Sequence, residues 1–275
     1  MTMRLAGINL HPVKSTAIRP VETAYVGRVG LRGDREWMVV DDAGALVTAR
    51  DTPRLFRVVA DNAATGLDHG VDLRLSAPHV DPLDVAIPTE EGAEVDVRFF
   101  GGTLRARPVG GAADAWLRQA LARDDLRLVW CHEPEARVVE GPGLADDHHA
   151  VFQDDSPVSL LSDASVAALN AWTEPDVPEI PARRFRANLL VDGAESAFAE
   201  DEWSVLTIGG ARLRVVVPIA RCSMTTIDPD TLTTGKEPIR TLARHRKWNG
   251  QTWFAVHLVV EEPGEIAVGD ELTLG

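Results

Sequence analysis

The sequence predicts a mostly β fold of the α+β kind, with two β-rich units joined near residues 100–125 and a few helices. Short segments that alternate apolar and polar residues recur along the chain, and glycine, proline and aspartate separate them. Two segments repeat apolar residues at helical spacing.

The elements follow in order. The apolar stretch inside "MTMRLAGINLHPVKS" is the first strand. Residues 37–50, "WMVVDDAGALVTAR", form a hairpin that turns at "DDAG". "VDLRLSA" (71–77) and "EVDVRFF" (94–100) alternate, so each is a strand with one buried face. "GGTLRARPVGG" (101–111), glycine-rich at both ends, marks the seam between the units. In "ADAWLRQALAR" (113–123), Trp116, Leu117, Ala120 and Leu121 share one side of a helix, and "LRLVW" (126–130) returns to strand. Residues 132–156 are a long polar loop, of a length that is usually either functional or disordered. "SLLSDASVAALNAW" (159–172) is the second helix, with Ser162 as its N-cap. "SVLTIGGARLRVVVPIA" (204–220) is a hairpin about Gly209–Gly210, and further strands finish the chain.

At 275 residues and 45% hydrophobic content, the chain can bury a sizeable core. A formal net charge of −14 argues against nucleic acid and against anionic membrane surfaces as partners. No apolar run reaches the roughly 18–20 residues of a membrane span, and the N-terminus lacks the pattern of a signal peptide. Two cysteines, 91 positions apart, do not make a disulfide framework, so reduced thiols and a cytoplasmic location are expected.

One of those cysteines stands in "VVVPIARCSMTTIDPDT" (215–231). Free cysteine is usually a small buried hydrophobe. Cys222 has a different setting: Pro218 ends the apolar run, Arg221 places a positive charge beside the sulfur, and hydroxyl residues follow. Cys131, in "LVWCHE", has no such setting and reads as core. Zinc is a poor explanation, because there is no CxxC and His148 and His149 are adjacent. A cysteine hydrolase stays open, since one of the eight histidines can lie near Cys222 in space.

Lys14 in "HPVKS", Arg35 in "GDREW" and Arg186 in "FRAN" each read singly as surface charges. If their heads converge they form an anion site within an acidic chain, with arginine gripping a phosphate by two parallel bonds.

Taken together, "HPVKS", "GDREWMVVDDAGALVTARDTPRL", "DDSPVSLLSDASVAALN", "RFRANLLVDG" and "ARCSMTTIDPDTL" resemble the MOSC proteins, in particular those joining an N-terminal β-barrel domain to a MOSC domain. The resemblance runs from about residue 4 to the end and includes the amidoxime-reducing components. It implies two barrel-like domains with peripheral helices, residues 1–110 and residues 111–275.

It also implies a molybdenum cofactor, a pyranopterin with a phosphate tail. Cys222 matches the cysteine that ligates the metal, a soft thiolate suited to a redox-active ion. Lys14, Ser15, Arg35, Ser156, Arg186 and Asn188 match positions that hold the cofactor, and Asp155, Ala220 and Arg221 match positions that line it. Asp228, in the "DP" turn, matches a family acid expected either to orient groups around the site or to handle protons. Ala220 stands where relatives often have serine, Asp155 where a hydroxyl residue occurs, and His257 in place of tyrosine or asparagine.

The implied activity is reduction of N-oxygenated compounds, such as hydroxylamines and amidoximes, by oxygen-atom transfer to a Cys-ligated molybdenum. Electrons would come from a separate ferredoxin, flavin reductase or similar donor. The loop 132–156 is expected to border the substrate entrance. Two other readings remain: a cofactor carrier or sulfur-transfer module without turnover, and a metal-free binding protein with Cys222 buried.

Overall fold

The computed structural model of the chain describes residues 2–89, 93–140 and 148–275. The glycine pair Gly209–Gly210 makes the expected hairpin, pairing Val205–Ile208 with Ala211–Ala220. Ala211–Ala220 runs antiparallel to the twelve-residue strand Gln251–Glu262, whose other edge takes Val158–Ser162. Leu189–Asp192 follows in parallel, then Arg4–Leu10 and Arg19–Val21 antiparallel. Alternation aims Leu5, Ile8, Leu160, Leu206, Leu213 and Leu258 into one core.

A second system orders Trp37–Asp41, Leu126–Trp130, Gly102–Pro108 and Val95–Phe99 in a four-stranded sheet. Helix α1 (Gly111–Leu121) buries Trp116, Leu117 and Leu121 in the core beneath it, with Trp37, Leu73 and Leu126. Helices α2 (Asp163–Trp172) and α3 (Ile239–His245) flank the first sheet. Strands from both sides of residue 110 enter both systems. Arg4–Leu10 lies among C-terminal strands, and Leu126–Trp130 among N-terminal ones. Among the described residues, no helix is long and apolar enough to cross a membrane.

The mostly β, α+β class is as expected, but neither system is a closed barrel. The closest approach to closure is a single isolated bridge, Arg4 to Glu271, with Leu5 N–H bonded to the Asp270 carbonyl at 2.9 Å. Leu272–Leu274 pairs with Val205–Ile208 on one edge, and on the other Leu272 N–H bonds the Met3 carbonyl at 2.9 Å without a continuous ladder to Arg4–Leu10.

Several elements differ from the sequence expectation. The "seam" is the strand Gly102–Pro108, hairpin-paired with Val95–Phe99 through the left-handed Gly101. "SLLS" is also strand, and α2 begins only after Ser162, whose hydroxyl accepts from Ser165 N–H at 3.2 Å. The second arm of the 37–50 hairpin reduces to the bridge Val40–Leu46. Pro218 does not end its strand; the ladder shifts register there and continues to Ala220.

Gly33 fixes the approach of the chain to the site. Its φ of +81° is left-handed, and a Cβ there would stand 2.7 Å from Ala64 Cβ. Gly33→Ala is therefore expected to cost about 2 kcal/mol or more, from left-handed backbone plus overpacking. Urea unfolding of the two proteins checks this; equal midpoints would contradict it.

Candidate functional site

The site is organised around a carboxylate that the sequence reading passed over. Asp34 is fully buried between Gly33 and Arg35. Its Oδ1 accepts from His11 N–H at 2.7 Å and faces His11 Nδ1 at 3.2 Å. Its Oδ2 accepts from Asn188 Nδ2 at 3.1 Å and from Arg35. Arg35 in turn donates to Asn188 Oδ1 at 3.3 Å. Burial alone raises the Asp34 pKa, but Arg35 and His11 outweigh it and hold the group at about 2. His11 is pushed down to about 3 by burial and by Arg35 and Arg186, so it stays neutral. One buried anion thus ties segments near residues 10, 35 and 188 together.

The sequence-identified cations converge. Lys14, Arg35, Arg186 and Arg221 line one crevice of about 120 Å³, together with Ser15, Asp155, Ser156, Asn188, Ala220, Cys222 and His257. Lys14 is buried and donates to the Phe152 carbonyl at 2.6 Å and to Asp154. Burial lowers its pKa to about 8, against the pull of Asp154. Arg137, from the long loop, pins the irregular segment 151–154 through the carbonyls of Val151, Gln153 and Asp154. Residues 141–147 of that loop, expected near the substrate entrance, lie outside the described residues.

Three of these site residues hold left-handed backbone: Ser15 at φ 70°, Arg35 at 55° and Arg186 at 55°. Non-glycine residues adopt that conformation at a cost, and it collects at functional sites. Arg186 follows the turn Ala182–Phe185 rather than lying in a strand, and its NH2 donates to the Thr16 carbonyl at 2.7 Å.

Cys222 stands two residues beyond the strand Ala211–Ala220 and is exposed. Arg221 fixes the exit from the strand: its N–H donates to the Thr252 carbonyl at 2.7 Å and its NH2 to the Phe185 carbonyl at 2.8 Å. Burial lowers the Arg221 pKa to about 10. On the facing wall, Ser156 Oγ meets His257 Nδ1 at 2.7 Å, and Asp155 lies 3.5 Å from His257 Nε2. Asp155 is largely exposed, which relieves the conflict between a carboxylate and an anion site.

Asp228 is not brought to this crevice. Its Oδ1 accepts from the N–H groups of Asp230 and Thr231 at 2.9 and 3.0 Å, closing the turn. Its Oδ2 holds Arg184 at 3.2 Å. These are the contacts of a turn-forming aspartate, and they leave it away from Cys222. Arg184 and Arg186 separate the crevice from a larger cavity of about 660 Å³ with walls that include Phe56, Ile18 and Ile227.

Fold and site define a mostly β protein with a cationic crevice beside an exposed cysteine. Comparison with known proteins gives the family. A family model described as the MOSC N-terminal beta barrel domain matches residues 2–124, and the MOSC domain matches residues 147–273. The chain is 34% identical over 288 residues to mitochondrial amidoxime-reducing component 1 of Homo sapiens, covering 98% of this chain and 82% of that protein. It is 34% identical over 280 residues to mitochondrial amidoxime reducing component 2 of Bos taurus, covering 95% and 80%. The solved structure of the YUAD protein from Bacillus subtilis aligns with a TM-score of 0.45 and 13% identity over 99% of this chain and 94% of that one. The chain belongs to the MOSC family, in the group that pairs the two domains.

The Asp34 network makes a pH prediction. Its folded pKa of about 2 lies below the ordinary 3.8, so the ionised group stabilises the fold above pH 3.8. That stabilisation drains away as pH falls towards 2. Asp34→Asn is expected to cost about 3 kcal/mol at pH 7, as a buried pair loses one partner. The gap between wild type and variant should narrow in acid. Urea midpoints measured at pH 7 and pH 3 check this; a gap that is constant or widens in acid would contradict it.

Proposed function

We propose that this chain is a molybdenum-cofactor oxidoreductase that reduces N-hydroxylated compounds such as hydroxylamines and amidoximes. Convergence carries the reading: an exposed cysteine sulfur and five cations from distant parts of an acidic chain line one crevice. The relatives named amidoxime-reducing components supply the reaction class.

The donor set fits that cofactor. Among the described residues, no group of three or more His, Cys, Asp or Glu could hold a metal ion. A metal at Cys222 must therefore bring ligands of its own, as a pyranopterin dithiolene does. Arg221 Nε is buried with no hydrogen-bond partner. Arg186 uses only one N–H group, on Thr16, leaving donors for an anion. A buried donor left unmatched, as Arg221 Nε is, is costly unless a ligand completes it.

In this reading Cys222 ligates the metal, and Lys14, Arg35 and Arg186 hold the phosphate with charge-assisted bonds. Ser15, Ser156 and Asn188 orient the ligand, while Ala220 and Arg221 line it. When bound, the cofactor supplies the electron-pair chemistry that breaks the N–O bond. His257, bonded to Ser156 and beside Asp155, is placed to hold a proton at Nε2 on the crevice wall. Asp228 instead positions Arg184. Electrons arrive from a separate ferredoxin, flavin reductase or similar donor.

Protein made in cofactor-competent cells is expected to carry near-stoichiometric molybdenum and, after reduction with dithionite, to reduce hydroxylamine or benzamidoxime. Cys222→Ala should lose at least about tenfold of both while keeping its circular dichroism, since the ligand sulfur and not the fold is removed. Metal content unchanged in the variant, or absent from wild type, overturns the assignment. A loaded, reducible centre that reduces neither compound would point to a carrier.

A further inference from the structure

We propose that the face built by α3 and the hairpin of Lys247–Trp248 with Gln251–Glu262 is the docking surface for a small, acidic electron-carrier protein. The assignment rests on the reductase reading above, because breaking an N–O bond reductively consumes two electrons. In that reading the two electrons come from a separate donor protein, which needs a place to dock.

Charge singles out this face. The chain carries a net charge of −14, yet residues 236–250 hold Lys236, Arg240, Arg244, Arg246 and Lys247, and the carboxylates paired with them, Glu237, Glu174 and Asp201, leave this face positive. Arg240 pairs with Glu237 at 2.6 Å, Arg244 with Glu174 at 2.8 Å, and Arg246 with Asp201. Lys236 and Lys247 are exposed and have no ion-pair partner among the described residues. An island of positive charge on an acidic protein steers an acidic partner to one orientation and repels its approach elsewhere.

At the centre of the island is an aromatic plate. Trp248 is 41% exposed. It stacks on Trp253 at 5.7 Å between ring centroids, and Trp253 Nε1 donates to the Trp248 carbonyl at 3.0 Å. The Arg246 guanidinium lies 5.0 Å from the Trp248 centroid. A rigid, exposed tryptophan ringed by arginine and lysine has the composition of an interface hot spot. The helix behind it is anchored by His245, stacked on Trp172 at 4.3 Å.

The plate also adjoins the site. Trp253 is in register with Ala220, and the neighbouring Thr252 carbonyl holds Arg221 N–H at 2.7 Å. Helix α3 packs on the turn Ser223–Thr226, which Cys222 opens. A carrier seated on Trp248 therefore sits beside the cysteine loop.

The test uses the full-length protein from cofactor-competent cells and an acidic [2Fe–2S] ferredoxin, with affinity measured by surface plasmon resonance. Binding is expected to weaken about tenfold between 20 mM and 150 mM salt, as screened charge pairs do. Lys236→Glu with Lys247→Glu, and separately Trp248→Ala, should each weaken it about tenfold or more. Arg28→Glu, the charge change of either lysine substitution alone placed at an exposed site off this face, should leave it within about twofold. No saturable binding at 20 mM salt, or equal losses from the Arg28 control, overturns the proposal. So does sedimentation showing that Trp248→Ala breaks a dimer, which would make the face a self-contact. Dithionite-driven turnover tests the reductase reading separately: patch-dependent binding without turnover sinks that reading, and turnover without patch-dependent binding sinks this one.

Discussion

A single buried carboxylate holds the site together. Asp34 has no water to solvate its charge, so it persists as an anion only because Arg35, His11 and Asn188 surround it. The same contacts fix those three groups, which come from three separate stretches of the chain. Arg35 cannot relax toward solvent without stranding Asp34. The cation at the crevice wall is thus held in place by an interaction that faces away from any ligand.

That arrangement explains how an acidic chain builds a cationic crevice. Burial lowers the pKa of Lys14, Arg186 and Arg221, and the Arg35 charge adds to the effect at Lys14 and Arg186. Left-handed backbone at Ser15, Arg35 and Arg186 is the conformational cost of aiming these groups inward. Asp34 and Asp154 offset part of the repulsion while leaving donors free. On the opposite side, the irregular ladder around Pro218 and the Arg221–Thr252 bond deliver Cys222 to the rim as an exposed group.

Much of this was legible in the sequence, for definite reasons. The Gly209–Gly210 hairpin, α1 and the Ser162 cap depend on local periodicity and turn chemistry, which nearest neighbours decide. The unusual settings of Lys14, Arg35, Arg186 and Cys222 were visible as polar groups at the ends of apolar runs. Asp34 was not, although "GDR" places an acid beside an arginine after a glycine, because its burial is set by residues 9, 11 and 188. The strand at 102–108 was hidden by its flanking glycines, which serve as hairpin turn and helix entry instead of a linker. Which of its two expected roles Asp228 takes was not legible, because a "DP" turn looks the same in sequence whether its carboxylate faces a site or its own backbone and a neighbouring arginine.

The central claim is that the crevice presents the Cys222 sulfur to a metal that arrives with its own ligands. X-ray absorption at the molybdenum edge reads that contact directly. The account predicts that the sulfur shell of the loaded wild-type protein loses one neighbour in Cys222→Ser. Superimposable spectra from the two proteins would contradict it.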